Sequence, residues 1–300
     1  MNNIGNTPLI RLKNIEKEFS LPFRLWAKDE SKEATGSIKD RPALEIITNA
    51  INNKELIQGV STIVEATSGN MGISLAYVAK QYDIKCRIYM PKSASIERRI
   101  KMEELGAEVI LVNGGMKECN EEVAKYIKNT DNTYLSKQFS NIFNPLAHQK
   151  YTSNEIINDL GKLPDYFIAG IGTGGTLIGC ARTFKERDKN IKIVGVEPEA
   201  SPLLTKGYAS SHLIQGIGAN FIPDIYQKEL VDDIIDVSNE EAYEGVRLLY
   251  KLEKLFNGIS SGAALLGAIK YKDNISSDKD VVIILPDSGD RYLSIGGLYE

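Results

Sequence analysis

Seven short apolar runs, rich in β-branched residues, alternate along the chain with longer stretches of helical periodicity. The runs are Thr62–Glu65, Lys85–Met90, Glu108–Val112, Tyr166–Ala169, Lys192–Val196, Ile234–Val237 and Val281–Leu285. Each is nearly continuous rather than alternating, the pattern of strands in parallel sheets covered on both faces. Between them, Ile73, Ala76 and Tyr77 fall at helical spacing, as do Ala242, Val246, Leu249 and Tyr250. Asn239-Glu-Glu is expected to open the second of these helices with a polar cap and an acidic first turn. A β-α-β-α order of this kind specifies an α/β fold with open parallel sheets. Turn residues at Asn141-Ile-Phe-Asn-Pro145 close one βα series and precede another, which marks the expected domain boundary.

Composition removes several function classes. Lys+Arg at 36 against Asp+Glu at 40 leaves a net charge of −4 with no local basic stripe, so nucleic acid is not the expected partner. The longest apolar runs, such as Val281–Leu285, fall far short of the roughly 20 residues that cross a bilayer. The first residues contain no signal-peptide stretch. Cys86, Cys119 and Cys180 are odd in number and widely spaced, which suits a reduced, cytoplasmic protein. Only His148 and His212 are present, far apart, so no metal site is expected and each histidine reads as a packed or surface residue.

In open α/β sheets, ligands sit outside the carboxyl ends of the strands, so the loops there carry the search. Lys39 follows a Gly36-Ser37 turn and heads the apolar helix Ala43, Leu44, Ile46, Ile47, where partial desolvation would make an amine a usable nucleophile or base. Thr67-Ser68-Gly69-Asn70 ends a strand and starts a helix; its hydroxyls and N–H groups suit a carboxylate or phosphate, or simply cap the helix. Gly170-Ile-Gly172-Thr173-Gly174-Gly175-Thr176 has the composition of a phosphate cradle. The same loop matches Gly-x-Gly-x-x-Gly, with Glu197 ending a strand downstream, which is the pattern of a dinucleotide site. Ser260, within Gly258-Ile-Ser-Ser-Gly262, is either a hydrogen-bond partner for a ring nitrogen or a helix cap.

Taken together and in order, these loops resemble the pyridoxal-phosphate β-replacement enzymes of the cysteine synthase and cystathionine β-synthase family. Collinear matches run from Gly5-Asn-Thr-Pro-Leu9 through Gly36-Ser-Ile-Lys-Asp-Arg41, Thr67-Ser-Gly-Asn-Met-Gly72, Ile96-Glu-Arg-Arg99 and Leu105-Gly-Ala-Glu108. They continue through Gln138-Phe-Ser-Asn141, Gly172-Thr-Gly-Gly-Thr176, Gly195-Val-Glu-Pro198, Gln215-Gly-Ile-Gly-Ala219, Gly258-Ile-Ser-Ser-Gly262 and Ser288-Gly-Asp-Arg-Tyr-Leu293. The resemblance implies a tryptophan synthase β-like fold (fold type II) of two domains, each an open, mostly parallel twisted sheet flanked by helices. It implies an N-terminal domain of residues 1–10 and 33–142 with a mobile substrate-binding part, and a C-terminal phosphate-binding domain of residues 11–32 and 143–300.

It also implies roles. Lys39 would hold pyridoxal 5'-phosphate covalently and shuttle the α-proton; Gly172, Thr173, Gly174, Gly175 and Thr176 would bind its phosphate. Asn70 would meet the ring hydroxyl and Ser260 the pyridine nitrogen. Thr67, Ser68 and Gly69 with Gln138 would clamp the substrate α-carboxylate, and Gly216 and Asn220 would border the substrate. The reaction implied is β-replacement through an α-aminoacrylate, with cysteine synthase as the first reading, from O-acetylserine and sulfide. Small amino acids and sulfide, or another small nucleophile, are the implied partners, with a homodimer as the assembly.

Three segments depart from the family pattern: Gly218-Ala-Asn-Phe221 where a glycine usually stands at 220, Asn141-Ile-Phe-Asn-Pro145, and Tyr151-Thr-Ser-Asn-Glu155. Asn220 is either neutral drift or a mark of a changed leaving group or nucleophile. The latter would be release of sulfide from cysteine, or an amine giving 2,3-diaminopropionate. A nicotinamide oxidoreductase built on Gly170–Gly175 and Glu197, and a catalytically idle paralogue, are the remaining alternatives.

Overall fold

The computed structural model describes residues 3–299. Ten strands occur among these residues: Leu9–Arg11 (β1), Arg24–Asp29 (β2), Thr62–Ala66 (β3), Lys85–Pro91 (β4), Glu108–Val112 (β5), Thr133–Leu135 (β6), Tyr166–Gly170 (β7), Lys192–Pro198 (β8), Asp233–Val237 (β9) and Asp280–Leu285 (β10). They form a six-stranded sheet in the order β1-β2-β10-β7-β8-β9 and a four-stranded sheet in the order β5-β4-β3-β6. Every pairing is parallel except that of β1 with β2. Parallel neighbours need helical crossovers, and the alternation of helices with strands supplies them.

The continuous apolar character of the strands follows from the two faces of the larger sheet. Along β10, Val281, Ile283 and Leu285 enter one core with Leu25, Ala27, Ile168, Val194 and Val196. Val282 and Ile284 enter a second with Phe167, Ala169 and Ile193. The helices Asn239–Glu253 and Ile259–Lys270 contribute to the first core, and Gly175–Arg187 contributes to the second. With both faces of β10 dry, apolar side chains fill both sides of Val281–Leu285. The smaller sheet has a core of its own around Val64, Ala66, Tyr89, Val112, Cys119 and Val123.

The chain divides into two compact units: one holds the described residues up to Ile38 and those from Pro145 onward, the other Lys39–Asn144. The break at Asn144 falls within the turn segment expected to mark it. The other edge differs from the expected division at residues 10 and 33. Leu9–Arg11 pairs with β2 in the larger sheet. Thr35–Ile38 is strapped to the chain leaving β10: Ile38 N–H donates to the Pro286 carbonyl at 2.9 Å and Ser288 N–H to the Gly36 carbonyl at 3.0 Å. Arg291 adds donors to the Gly36 and Thr35 carbonyls, each at 2.6 Å. The cap of the Asn239–Glu253 helix lies one residue earlier than expected. Ser238 Oγ accepts from Glu241 N–H at 3.1 Å while the Glu241 carboxylate accepts from Ser238 N–H at 2.8 Å, a reciprocal capping box. No helix among the described residues is long and apolar enough to cross a membrane.

Candidate active site

In the smaller unit, Lys39 immediately precedes the helix Asp40–Asn52 and is half-buried, its carbonyl accepting from Ala43 N–H at 3.1 Å. Its neighbour Asp40 is fully buried, and Asp40 Oδ1 accepts from Ser74 Oγ at 2.6 Å, tying the start of that helix to the helix Asn70–Gln81. The second helix is capped by Gly69 with no side-chain cap bond. Thr67 Oγ1 accepts from Gly69 N–H at 3.2 Å, a local turn that holds the loop without closing the helix end. The expectation that Thr67 or Ser68 caps the helix is not met, since the cap residue is Gly69. Thr67 is buried, Ser68 and Asn70 half-buried. Gln138 is also buried, on the chain leaving β6; its carbonyl accepts from Asn144 Nδ2 at 2.7 Å. Because β3 and β6 are parallel neighbours, the Thr67–Asn70 loop and the Gln138 segment leave the same edge of the sheet.

In the larger unit the Gly172–Thr176 loop follows β7 and opens the helix Gly175–Arg187. The cap residue, Gly174, has φ +84°, a left-handed conformation that glycine adopts without strain, and no side chain caps the helix. Gly174 offers no side chain to the first turn, and Thr173 Oγ1 accepts from Gly175 N–H at 3.2 Å. The loop lies against Gly216: a Cβ on Gly172 would overlap the Gly216 carbonyl oxygen. Gly216 in turn flanks Ser260, whose Oγ would lie 3.6 Å from a Cβ on Gly216. Ser260 is buried one residue inside the helix Ile259–Lys270, which is capped by Gly258 with no side-chain cap bond, so Ser260 is not a helix cap. Gly172, Gly216 and Ser260, separated by more than 80 residues of sequence between first and last, are brought together.

Asn220 is exposed and has φ +62°. Asparagine tolerates that conformation better than most side chains. Asn220 Oδ1 accepts from Ser201 Oγ at 2.8 Å. With Gly172, Gly218, Phe221 and Leu204 it lines a small cleft.

The dinucleotide alternative fails on Glu197. Its carboxylate accepts from the N–H groups of Leu204 at 2.9 Å and Thr205 at 3.1 Å and from the Thr205 hydroxyl. It caps the short helix Leu203–Lys206 rather than standing ready for a ribose.

Two buried neighbours of these residues carry no local sequence signal. His148 is fully buried in a π-helical turn, His148–Thr152, with Nε2 3.3 Å from Thr176 Oγ1 and Nδ1 3.0 Å from Thr152 Oγ1. It backs the last hydroxyl of the cradle. Glu65, at the end of β3, is the other: burial pushes its carboxyl up to about 7, against the opposing hydrogen bond from Ser136.

A phosphate requires N–H donors at an uncapped helix start and room for close approach; the Gly172–Thr176 loop has both. A buried hydroxyl can meet a pyridine nitrogen, and Ser260 offers one. The residues of the larger unit therefore fit pyridoxal phosphate. Among the described residues, no group of three or more His, Cys, Asp or Glu side chains is arranged to hold a metal.

Comparison with known proteins agrees. The family described as pyridoxal-phosphate dependent enzyme matches residues 1–287. The chain is 45% identical over 293 residues to cysteine synthase B of Campylobacter jejuni, covering 97% of this chain and 95% of that one. The crystal structure of a cysteine synthase from Entamoeba histolytica superposes with a TM-score of 0.94 at 40% identity, covering 99% of this chain and 89% of that one. A hydrogen sulfide-producing enzyme from Fusobacterium nucleatum does so with a TM-score of 0.92 at 42% identity, covering 97% and 96%.

Proposed function

The chain belongs to the family of pyridoxal-phosphate-dependent enzymes, and on that premise we propose that it is a cysteine synthase, replacing the acetoxy group of O-acetylserine with sulfide. Bound pyridoxal phosphate supplies an electron sink that lets an amino acid lose its α-proton and a β-substituent. Lys39 Nζ would hold the cofactor until the substrate's amino group displaces it, and the freed amine would then take the α-proton and later return it. Acetate leaves from the β-carbon with its electron pair, sulfide forms the new C–S bond there, and the products are L-cysteine and acetate.

The other residues bind and orient. Thr173, Thr176 and backbone N–H groups of the Gly172–Thr176 loop would hold the phosphate at the helix start. Asn70 meets the ring hydroxyl. Ser260 would meet the ring nitrogen with a neutral hydroxyl, which would leave that nitrogen largely unprotonated and moderate the electron demand of the ring. Thr67, Ser68, Gly69 and Gln138 take the substrate α-carboxylate, and Gly216 borders the substrate. Asn220 shapes the rim of the cleft beside Gly172 through its bond to Ser201. The resemblance also supports a homodimer acting in the cytoplasm, which sedimentation and cell fractionation test.

The observation that carries the reading is the convergence of Gly172, Gly216 and Ser260 beside an uncapped helix start. The test is an assay with O-acetylserine, O-phosphoserine and cysteine in turn, each with product identification. O-acetylserine with sulfide is expected to give L-cysteine at the highest rate. A second reading, release of sulfide from cysteine, is favoured by the similarity to the Fusobacterium nucleatum enzyme and predicts cysteine as the better substrate. The same product analysis detects 2,3-diaminopropionate should an amine be the nucleophile.

A further inference from the structure

Glu65 is a buried carboxyl that the proposed chemistry leaves without a role. It sits at the end of β3, two residues before Thr67, with 6% of its surface exposed. One of its oxygens, Oε2, accepts both from the Ser136 hydroxyl and from Gln138 N–H, the latter at 3.4 Å. Ser136 and Gln138 lie on the chain leaving β6, the parallel neighbour of β3, and Ser136 N–H donates to the Val64 carbonyl at 3.1 Å. The Ser136 carbonyl accepts from Asn141 Nδ2 at 2.9 Å, so the segment is held from its other side as well.

We propose that Glu65 is a positioning residue for the substrate α-carboxylate: its carboxyl fastens the Gln138 segment to the strand that carries the Thr67–Gly69 turn. This inference rests on the assignment of Thr67–Gly69 and Gln138 as the carboxylate clamp. Those two segments are separated by about 70 residues of sequence and come from different strands. The backbone pairing of β3 with β6 ends with the Ser136 N–H bond to the Val64 carbonyl, two residues short of Gln138 and three short of Thr67. Glu65 continues the connection with a side chain.

The environment is consistent with a tie rather than an ion pair. Burial is the largest influence on Glu65, and what opposes it is the Ser136 hydroxyl and the N–H groups of Gln138, Ala66 and Lys137. From β4, the Cys86 thiol faces it and is itself pushed up to about 12 by burial and by the Glu65 charge. A buried carboxyl kept so far from water is costly unless its hydrogen bonds do something a leucine could not. Here they hold two loops that backbone pairing alone does not.

The test uses the cofactor-loaded full chain and L-alanine, which carries the α-amino and α-carboxylate groups but no leaving group. Its binding is read from the shift in cofactor absorbance, beside cofactor content and thermal unfolding. Glu65→Ala is expected to raise the L-alanine dissociation constant roughly tenfold or more, the worth of a hydrogen bond to a charged group, with cofactor content unchanged. Because a single oxygen takes both bonds, Glu65→Gln is expected to restore binding to within about threefold of the parent. Should Glu65→Ala not accumulate folded, Ser136→Ala removes the tie from the other side and is expected to weaken L-alanine binding about threefold or more. Unchanged L-alanine binding in the folded variants overturns the inference, and so does a parallel loss of cofactor and L-alanine binding. Turnover of O-acetylserine by the parent is measured alongside. Its absence with intact L-alanine binding contradicts the proposed reaction and leaves the assignment of Glu65 standing.

Discussion

The backbone of Gly172 lies directly against the carbonyl oxygen of Gly216, leaving no room for a side chain at residue 172. Gly172→Ala must therefore move the Gly172–Thr176 loop, the Gly216 segment or both. Overpacking of this kind costs about 1–3 kcal/mol. The shift would fall on the phosphate cradle, so the variant is expected to lose cofactor on dialysis faster than the parent. Cofactor content after dialysis and the unfolding midpoint check this; retention equal to that of the parent would contradict the role given to the loop.

Asn220→Gly is expected to be close to neutral. The backbone at residue 220 already has φ +62°, which glycine adopts freely, and the amide oxygen is engaged by Ser201 rather than turned to a substrate. The ratio of activities toward O-acetylserine and cysteine should stay within about twofold, losing at most the worth of one partly exposed hydrogen bond. A larger change in that ratio would assign Asn220 to the choice of leaving group.

Asp280 anchors one end of the larger sheet. Burial would raise its pKa, but donors outweigh it: Arg24 Nε at 2.7 Å, Lys162 Nζ at 2.5 Å and Trp26 Nε1 at 2.8 Å together hold the carboxyl well below the usual carboxylate range. A lowered folded-state pKa contributes stability above the unfolded value of about 3.8 and loses it as pH falls toward the folded one. Asp280→Asn should destabilise the protein by about 2 kcal/mol at pH 7, with the difference shrinking below about pH 4. Urea unfolding at the two pH values measures it; a difference that does not narrow in acid rules out the charge as its source.

Glu65 predicts the opposite slope. Its carboxyl is raised from 4.5 to about 7 by burial, so the folded chain keeps a proton that the unfolded chain releases. The raised pKa costs nothing below about pH 4.5, costs progressively more up to about pH 7, and is constant above that. Over that window the parent should lose about 3 kcal/mol of stability relative to Glu65→Gln, which does not titrate. Unfolding of both proteins at pH 5 and pH 8 decides it, and parallel pH profiles would show that Glu65 does not titrate as described.

The parts of the molecule that were legible in the sequence are those where residue type is itself the structural requirement. All seven apolar runs are strands, and the split of Val281–Leu285 between two cores shows why a central strand, dry on both faces, reads as a continuous apolar run. The Gly172–Thr176 loop was legible because only glycine fits at its closest approach. Strand β2 was not, since Arg24, Lys28 and Asp29 look like a surface. The Lys28 ammonium is in fact fully buried, donating to the Thr7 carbonyl at 2.6 Å and paired with Glu155 at 3.0 Å and Asp159 at 3.2 Å. Glu65 and His148 were illegible for a related reason. Their partners, Ser136 and Thr176, lie 71 and 28 residues away, beyond any local pattern. The three-residue strand β6 was too short to register a periodicity.

The central claim is that the amine of Lys39 holds the cofactor. Borohydride reduction of the purified protein, followed by proteolysis and mass spectrometry of the peptides, tests it without any assumption about substrate. The account predicts loss of the yellow colour and a reduced pyridoxyl phosphate adduct on Lys39. An adduct on a different lysine, or a chain that carries none after incubation with the cofactor, would contradict it.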